Sequence, residues 1–137
     1  MKVYLSLFFV LSLLSCKQEV EDIQLLNGYW EIEKVVFQNG ESKEYTVNEA
    51  IDHFTLEENF EGYRVKVKPL LDGTVEVITD GETIKVIQEN DIWQIQYTTP
   101  FSNWTETIKK LNQDHLELLN EEKRTYIYKR HSATEQP

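Results

Sequence analysis

Leu25-Leu26-Asn27-Gly28-Tyr29-Trp30-Glu31-Ile32-Glu33-Lys34-Val35-Val36-Phe37 decides the fold. A glycine that frees the backbone to turn stands two residues before a tryptophan, and the tryptophan begins a run rich in strand formers. Strict alternation places Trp30, Ile32 and Val36 on one face of that run, with Glu31, Glu33 and Val35 on the other. Such an opening suits the first strand of a barrel whose end is plugged by one large flat side chain.

Turn signals recur from Gly28 onward every eight to twelve residues or so, the spacing of an antiparallel meander. Asn39-Gly40, Asp72-Gly73 and Asp80-Gly81 are dipeptides that tight hairpins prefer, because glycine and asparagine tolerate positive φ. Asn59 to Gly62, Asn90-Asp91, Pro100 to Asn103, Asn112 to Asp114 and Asn120 to Glu122 are weaker breaks of the same kind. The segments between them alternate. Trp93, Ile95 and Tyr97 oppose Gln94 and Gln96; Tyr126 and Tyr128 oppose Thr125, Ile127 and Lys129. Tyr63, Val65 and Val67 oppose Arg64, Lys66 and Lys68, so the basic stripe is expected outside and Tyr63 inside. Asn48 to Leu56 fits a helical stripe less well than a strand. About nine strands result, arranged as a sandwich or as a closed up-and-down barrel, and the short links favour the meander.

Ahead of the body lies Met1-Lys2, an apolar run from Val3 to Leu14, then Ser15 and Cys16. One basic residue, roughly a dozen apolar ones and a small residue make a secretory signal, and the run falls short of the twenty or so that a membrane span needs. Leu13-Leu14-Ser15-Cys16 resembles the lipobox read by the bacterial lipoprotein-processing machinery. Cys16 is the only cysteine, so no internal disulfide is open to it. Lipidation there would anchor the chain firmly, at about 0.8 kcal/mol per buried CH₂. The expected organisation is a signal peptide over 1–15, a charged tether over 16–22, a barrel over 23–131 and a disordered tail over 132–137. Asp22 is expected to cap one helical turn, Ile23 to Leu26. Lipid attachment places the protein in the cell envelope, at the outer membrane, with the leaflet open.

A formal net charge of −10 argues against nucleic acid as a partner and against adhesion to anionic headgroups. His53, His115 and His131 are far apart, with no second ligand at metal spacing, and no nucleophile, phosphate-loop or dinucleotide motif occurs. No enzyme activity, metal or cofactor is expected. Aromatic residues cluster near two loops, and Phe54, Tyr63, Trp93, Tyr97 and Trp104 are the candidates for gripping a small hydrophobic ligand, with core packing as the plainer role.

With Gly28-Tyr29-Trp30 at the start, evenly spaced hairpins, and Leu116-Glu117-Leu118 and Tyr126-Ile127-Tyr128-Lys129-Arg130 at the end, the chain resembles the lipocalin-like domain of small bacterial lipoproteins. The resemblance implies an eight- or nine-stranded barrel in which Trp30 plugs the closed end and a basic side chain covers its ring, Arg130 first and Arg124 second. It implies structural rather than ligand-binding roles for Gly28, Trp30 and Arg130. It also implies non-catalytic binding of a small apolar or amphipathic molecule; a filled barrel serving as a protein-interaction module is the alternative. The chain departs from classical lipocalins in lacking their disulfide and their C-terminal helix pattern.

Overall fold

The computed structural model describes residues 18–132. The signal peptide, Cys16 and nearly all of the tail lie outside the described residues. The elements in order are β1 (Glu19–Val20), a 3-10 turn (Ile23–Leu26), β2 (Gly28–Val36), β3 (Ser42–Glu44), β4 (Ile51–Leu56), β5 (Glu61–Pro69), β6 (Val75–Val77), β7 (Glu82–Glu89), β8 (Ile92–Thr98), β9 (Asn103–Leu111), β10 (His115–Leu119) and β11 (Thr125–Arg130). Strands β9-β10-β11-β2-β4-β5-β7-β8 pair in that order, and β8 returns to β9. Eight antiparallel strands therefore close on themselves, which leaves no long free edge to recruit another chain. The expected all-β barrel is present, with three short strands added to it.

The turn chemistry explains much of the meander. Gly40 and Gly73 take positive φ at the β2–β3 and β5–β6 tips. Asn90 and Asp91 both lie at positive φ, the requirement of a tight type I′ turn between β7 and β8. Asp22 accepts the Gln24 backbone N–H at 2.9 Å and so caps the 3-10 turn as expected.

Inward side chains fill most of the barrel. Leu26, Trp30, Phe54, Ile84, Ile95, Tyr97, Ile108, Leu111, Leu116 and Leu118 are all fully buried. One expectation about β2 fails at a bulge. Tyr128 pairs with Ile32 but Ile127 with Lys34, so Glu33 is skipped and the alternation resets. Val35, not Val36, is then the buried residue.

The proposed tether boundary also shifts. Gln18 donates to the carbonyls of Ile108 at 2.6 Å and Trp93 at 3.2 Å and accepts the Trp93 N–H at 2.7 Å. It occupies the split where β8 and β9 diverge, because their pairing ends at Gln94–Thr107. Glu19 and Val20 then run parallel to Lys110 and Leu111. The body of the domain thus includes residues 18–20 rather than starting at residue 23.

Candidate functional site

The closed end is built around Trp30. Its indole Nε1 donates to the Leu26 carbonyl at 2.9 Å, and the Arg130 guanidinium lies 4.2 Å from the ring centre. Arg130 also donates to the carbonyls of Asn27 (2.8 Å), Leu25 (2.6 Å) and Gln113. Gly28 sits at φ +128, and a Cβ there would collide with the same guanidinium. Glycine is needed because the arginine must reach past it to the tryptophan. Arg124, the second candidate for this role, lies instead over the Phe37 ring at 5.6 Å.

The middle of the barrel carries an ionic cluster that alternation alone did not place. Gly62, Arg64 and Lys66 face the side of β5 paired to inward Leu56, Phe54 and Asp52, so the basic stripe is not all outside. Arg64 Nε lies 3.0 Å from Glu82 and Nη1 lies 3.7 Å from Glu106, while its guanidinium stacks 4.3 Å from the centre of Tyr97. Burial opposes the Arg64 charge, but the acidic groups around it, Tyr97 and Glu82 foremost, outweigh burial and raise its pKa. Burial pushes Glu106 above the ordinary carboxylate range, against the pull of Tyr97 and Arg64. Burial, with Glu106 adding to it, also raises Tyr97 well above an ordinary phenol. The Tyr97 hydroxyl and Glu106 Oε1 are buried without a well-formed hydrogen bond, although they stand close enough to influence each other's titration. Tyr63, expected inside, is 58% exposed on the opposite face of β5.

Above Trp30 a cavity of about 190 Å³ opens, lined by Trp30, Ile32, Val35, Tyr45, Ala50, Ile51, Asp52, Lys66, Tyr126 and Tyr128. It exists because the sheet parts here. β2 pairs with β4 only over Gly28–Trp30 and with β3 only over Lys34–Val36. The carbonyls left between are satisfied by the intervening loop: the Asn48 amide donates to Ile32 at 3.0 Å and the Tyr45 N–H to Glu33 at 2.8 Å. On the cavity wall Lys66 Nζ lies 2.8 Å from Asp52 Oδ1; the Asp52 side chain is 6% exposed and that of Lys66 54%. Tyr128 is raised well above an ordinary phenol by burial, with Asp52 contributing.

None of Phe54, Tyr63, Trp93, Tyr97 and Trp104 lines this cavity. Phe54 and Tyr97 are core, Tyr97 stacks on Trp104 with centroids 5.2 Å apart, and Trp93 packs against Phe60 at 5.9 Å. Trp30, expected to be purely structural, forms part of the cavity as well as the plug. The residues that sequence reasoning missed are Asp52, Lys66 and Glu106. Glu106 did leave a signal: it stands between Trp104 and Ile108 on an inward face, where an acid demands a buried cation. His53 stacks on Tyr29, His115 lies 2.9 Å from Glu117 and His131 lies 3.5 Å from Glu31, and no group of three metal-ligating side chains occurs among the described residues.

No protein-family model matches the chain, and no curated protein matches it. Among solved structures it is similar to a lipocalin-like protein from Bacteroides uniformis ATCC 8492, at 14% identity and a TM-score of 0.49, over 78% of this chain and 99% of that one. It is similar too to an uncharacterized protein from Bacteroides eggerthii DSM 20697, at 13% identity and a TM-score of 0.49, over 77% of this chain and 99% of the other.

Proposed function

We propose that the chain is a lipid-anchored, non-catalytic protein of the cell envelope that holds one small amphipathic molecule in the cavity above Trp30. The supporting observation is the parted sheet itself. A closed, filled barrel has no packing reason to leave about 190 Å³ between two strands, lined by aromatic and aliphatic side chains with one ion pair in its wall. The volume lies below the roughly 300–1,000 Å³ usual for drug-sized ligands, so the occupant is small. Anchoring rests on the lipobox-like Leu13-Leu14-Ser15-Cys16, with the barrel held close to the membrane by the short segment ending at Gln18.

Native mass spectrometry of the full-length chain, after incubation with a cell-envelope extract, tests the binding. A retained small-molecule adduct is expected, and Ala50→Trp, which plugs the cavity from its loop side, should abolish it. An equal adduct on both proteins, or none on either, overturns the reading. The filled interior favours a second reading, a protein-interaction module, and in-cell crosslinking that recovers one stable partner, unaffected by Ala50→Trp, would select it.

A further inference from the structure

We infer that the cavity is a site for a small organic cation, a primary or quaternary ammonium whose charge takes the place of the Lys66 ammonium beside Asp52. The inference rests on the ligand-binding reading above and adds the chemistry of the ligand. Its first ground is the carboxylate. Asp52 is almost wholly buried, and its Oδ1 is matched by an ammonium at 2.8 Å from the chain's own Lys66. That lysine side chain is more than half exposed, so it can turn into water when a second cation takes over the aspartate, which cannot follow it.

The second ground is the aromatic lining. Ring faces carry negative charge and attract a cation within about 6 Å. Two of the lining rings already do so: Trp30 holds the Arg130 guanidinium at 4.2 Å and Tyr45 the Lys43 ammonium at 5.0 Å. Tyr126 and Tyr128, on β11 beside β2, add two further rings to the lining.

The third ground is the charge balance. The ionic cluster inside the barrel opposes Arg64 and Lys66 with Asp52, Glu82 and Glu106, and Arg64 is taken up by Glu82 and Glu106. Once Lys66 leaves, Asp52 keeps only the longer-range attraction of Arg64. The surrounding protein is acidic overall, which draws cations and repels anions.

Three probes of similar shape test this on the full-length chain: benzylammonium, benzyl alcohol and benzoate, followed by intrinsic tryptophan fluorescence and by NMR shifts of cavity residues. Benzylammonium should bind at least about tenfold more tightly than the other two. Lys66→Met gives the decisive sign; because it leaves Asp52 as a buried acid without its partner, Lys66→Gln, which keeps a donor toward Asp52, is measured beside it and should shift benzylammonium binding the same way. Removing the internal competitor should tighten benzylammonium about tenfold; a site for anions would instead lose benzoate binding. Asp52→Asn should abolish the preference for the cation. Equal binding of all three probes at the cavity, or weaker benzylammonium binding to Lys66→Met, overturns the cation inference while the ligand site stands. No shift at any cavity residue with any probe overturns both.

Discussion

Arg64→Met removes the cation from the centre of the barrel while keeping most of its aliphatic bulk. The arginine side chain is 14% exposed and that of Glu106 7%, so Glu106 would be left as a buried acid without a counter-charge. Glu82, at 22%, retains some access to water and adds less. Breaking a buried pair from one side costs about 3–5 kcal/mol, and the partial exposure of Glu82 favours the lower end, about 3 kcal/mol. At about 4 °C per kcal/mol for a domain of this length, that is a fall of about 12 °C in Tm. The deficit should shrink at pH 5, because an unpaired Glu106, already raised by burial, then takes up a proton. Arg64→Met/Glu106→Gln should recover about 2 kcal/mol of the loss, since removing both charges leaves neither stranded. Urea denaturation of the four proteins at pH 7.5 and pH 5 measures all of this. A loss below about 1 kcal/mol, or one of equal size at both pH values, would refute the placement of Arg64 as the buried counter-ion.

Three further outcomes are expected. Gly28→Ala should cost at least about 1–3 kcal/mol in urea denaturation, because alanine at φ +128 is strained and its methyl displaces Arg130 from Trp30. Glu106→Gln should flatten the pH dependence of stability. With its folded pKa raised by burial, Glu106 contributes most when protonated, and the wild type loses that contribution as pH rises from the ordinary carboxylate value through the raised one. Gln18→Ala should raise amide hydrogen exchange at Trp93 and Glu21, whose N–H groups depend on Gln18 and on the seating of β1, and leave the Ile84 and Ile95 amides unchanged.

Local signals carried the fold. The roles of Gly28, Trp30 and Arg130 came from the family resemblance, and the structure sets Arg130 opposite Trp30. Asn39-Gly40 and Asp72-Gly73 marked true hairpin tips, whereas Asp80-Gly81 joins β6 to β7, which do not pair; strand faces were legible from unbroken alternation, as in β8 and β11. The sequence misled wherever a distant strand decided the matter. Arg64 and Lys66 alternate with apolar residues as on a wet face, yet Glu82 and Glu106 hold Arg64 inside, and Asp52 draws the half-exposed Lys66 to the cavity wall. The bulge at Glu33 has no glycine to announce it, and it moves Val35 to the cavity wall. The cavity itself is a product of where β2 changes partner from β4 to β3, which is a matter of register and not of composition. Hence the five aromatic candidates lie outside this lining, which takes Trp30, Tyr126 and Tyr128 from alternating strands together with Tyr45 of the loop.

A crystal structure of the full-length chain, purified from its native cells without an apolar additive, tests the binding site most directly. Ordered density for a small molecule between Trp30, Tyr128 and Asp52, with the Lys66 side chain turned outward, is the expected result. A cavity closed by the inward collapse of Tyr45 and the 45–50 loop, with nothing bound, would contradict it.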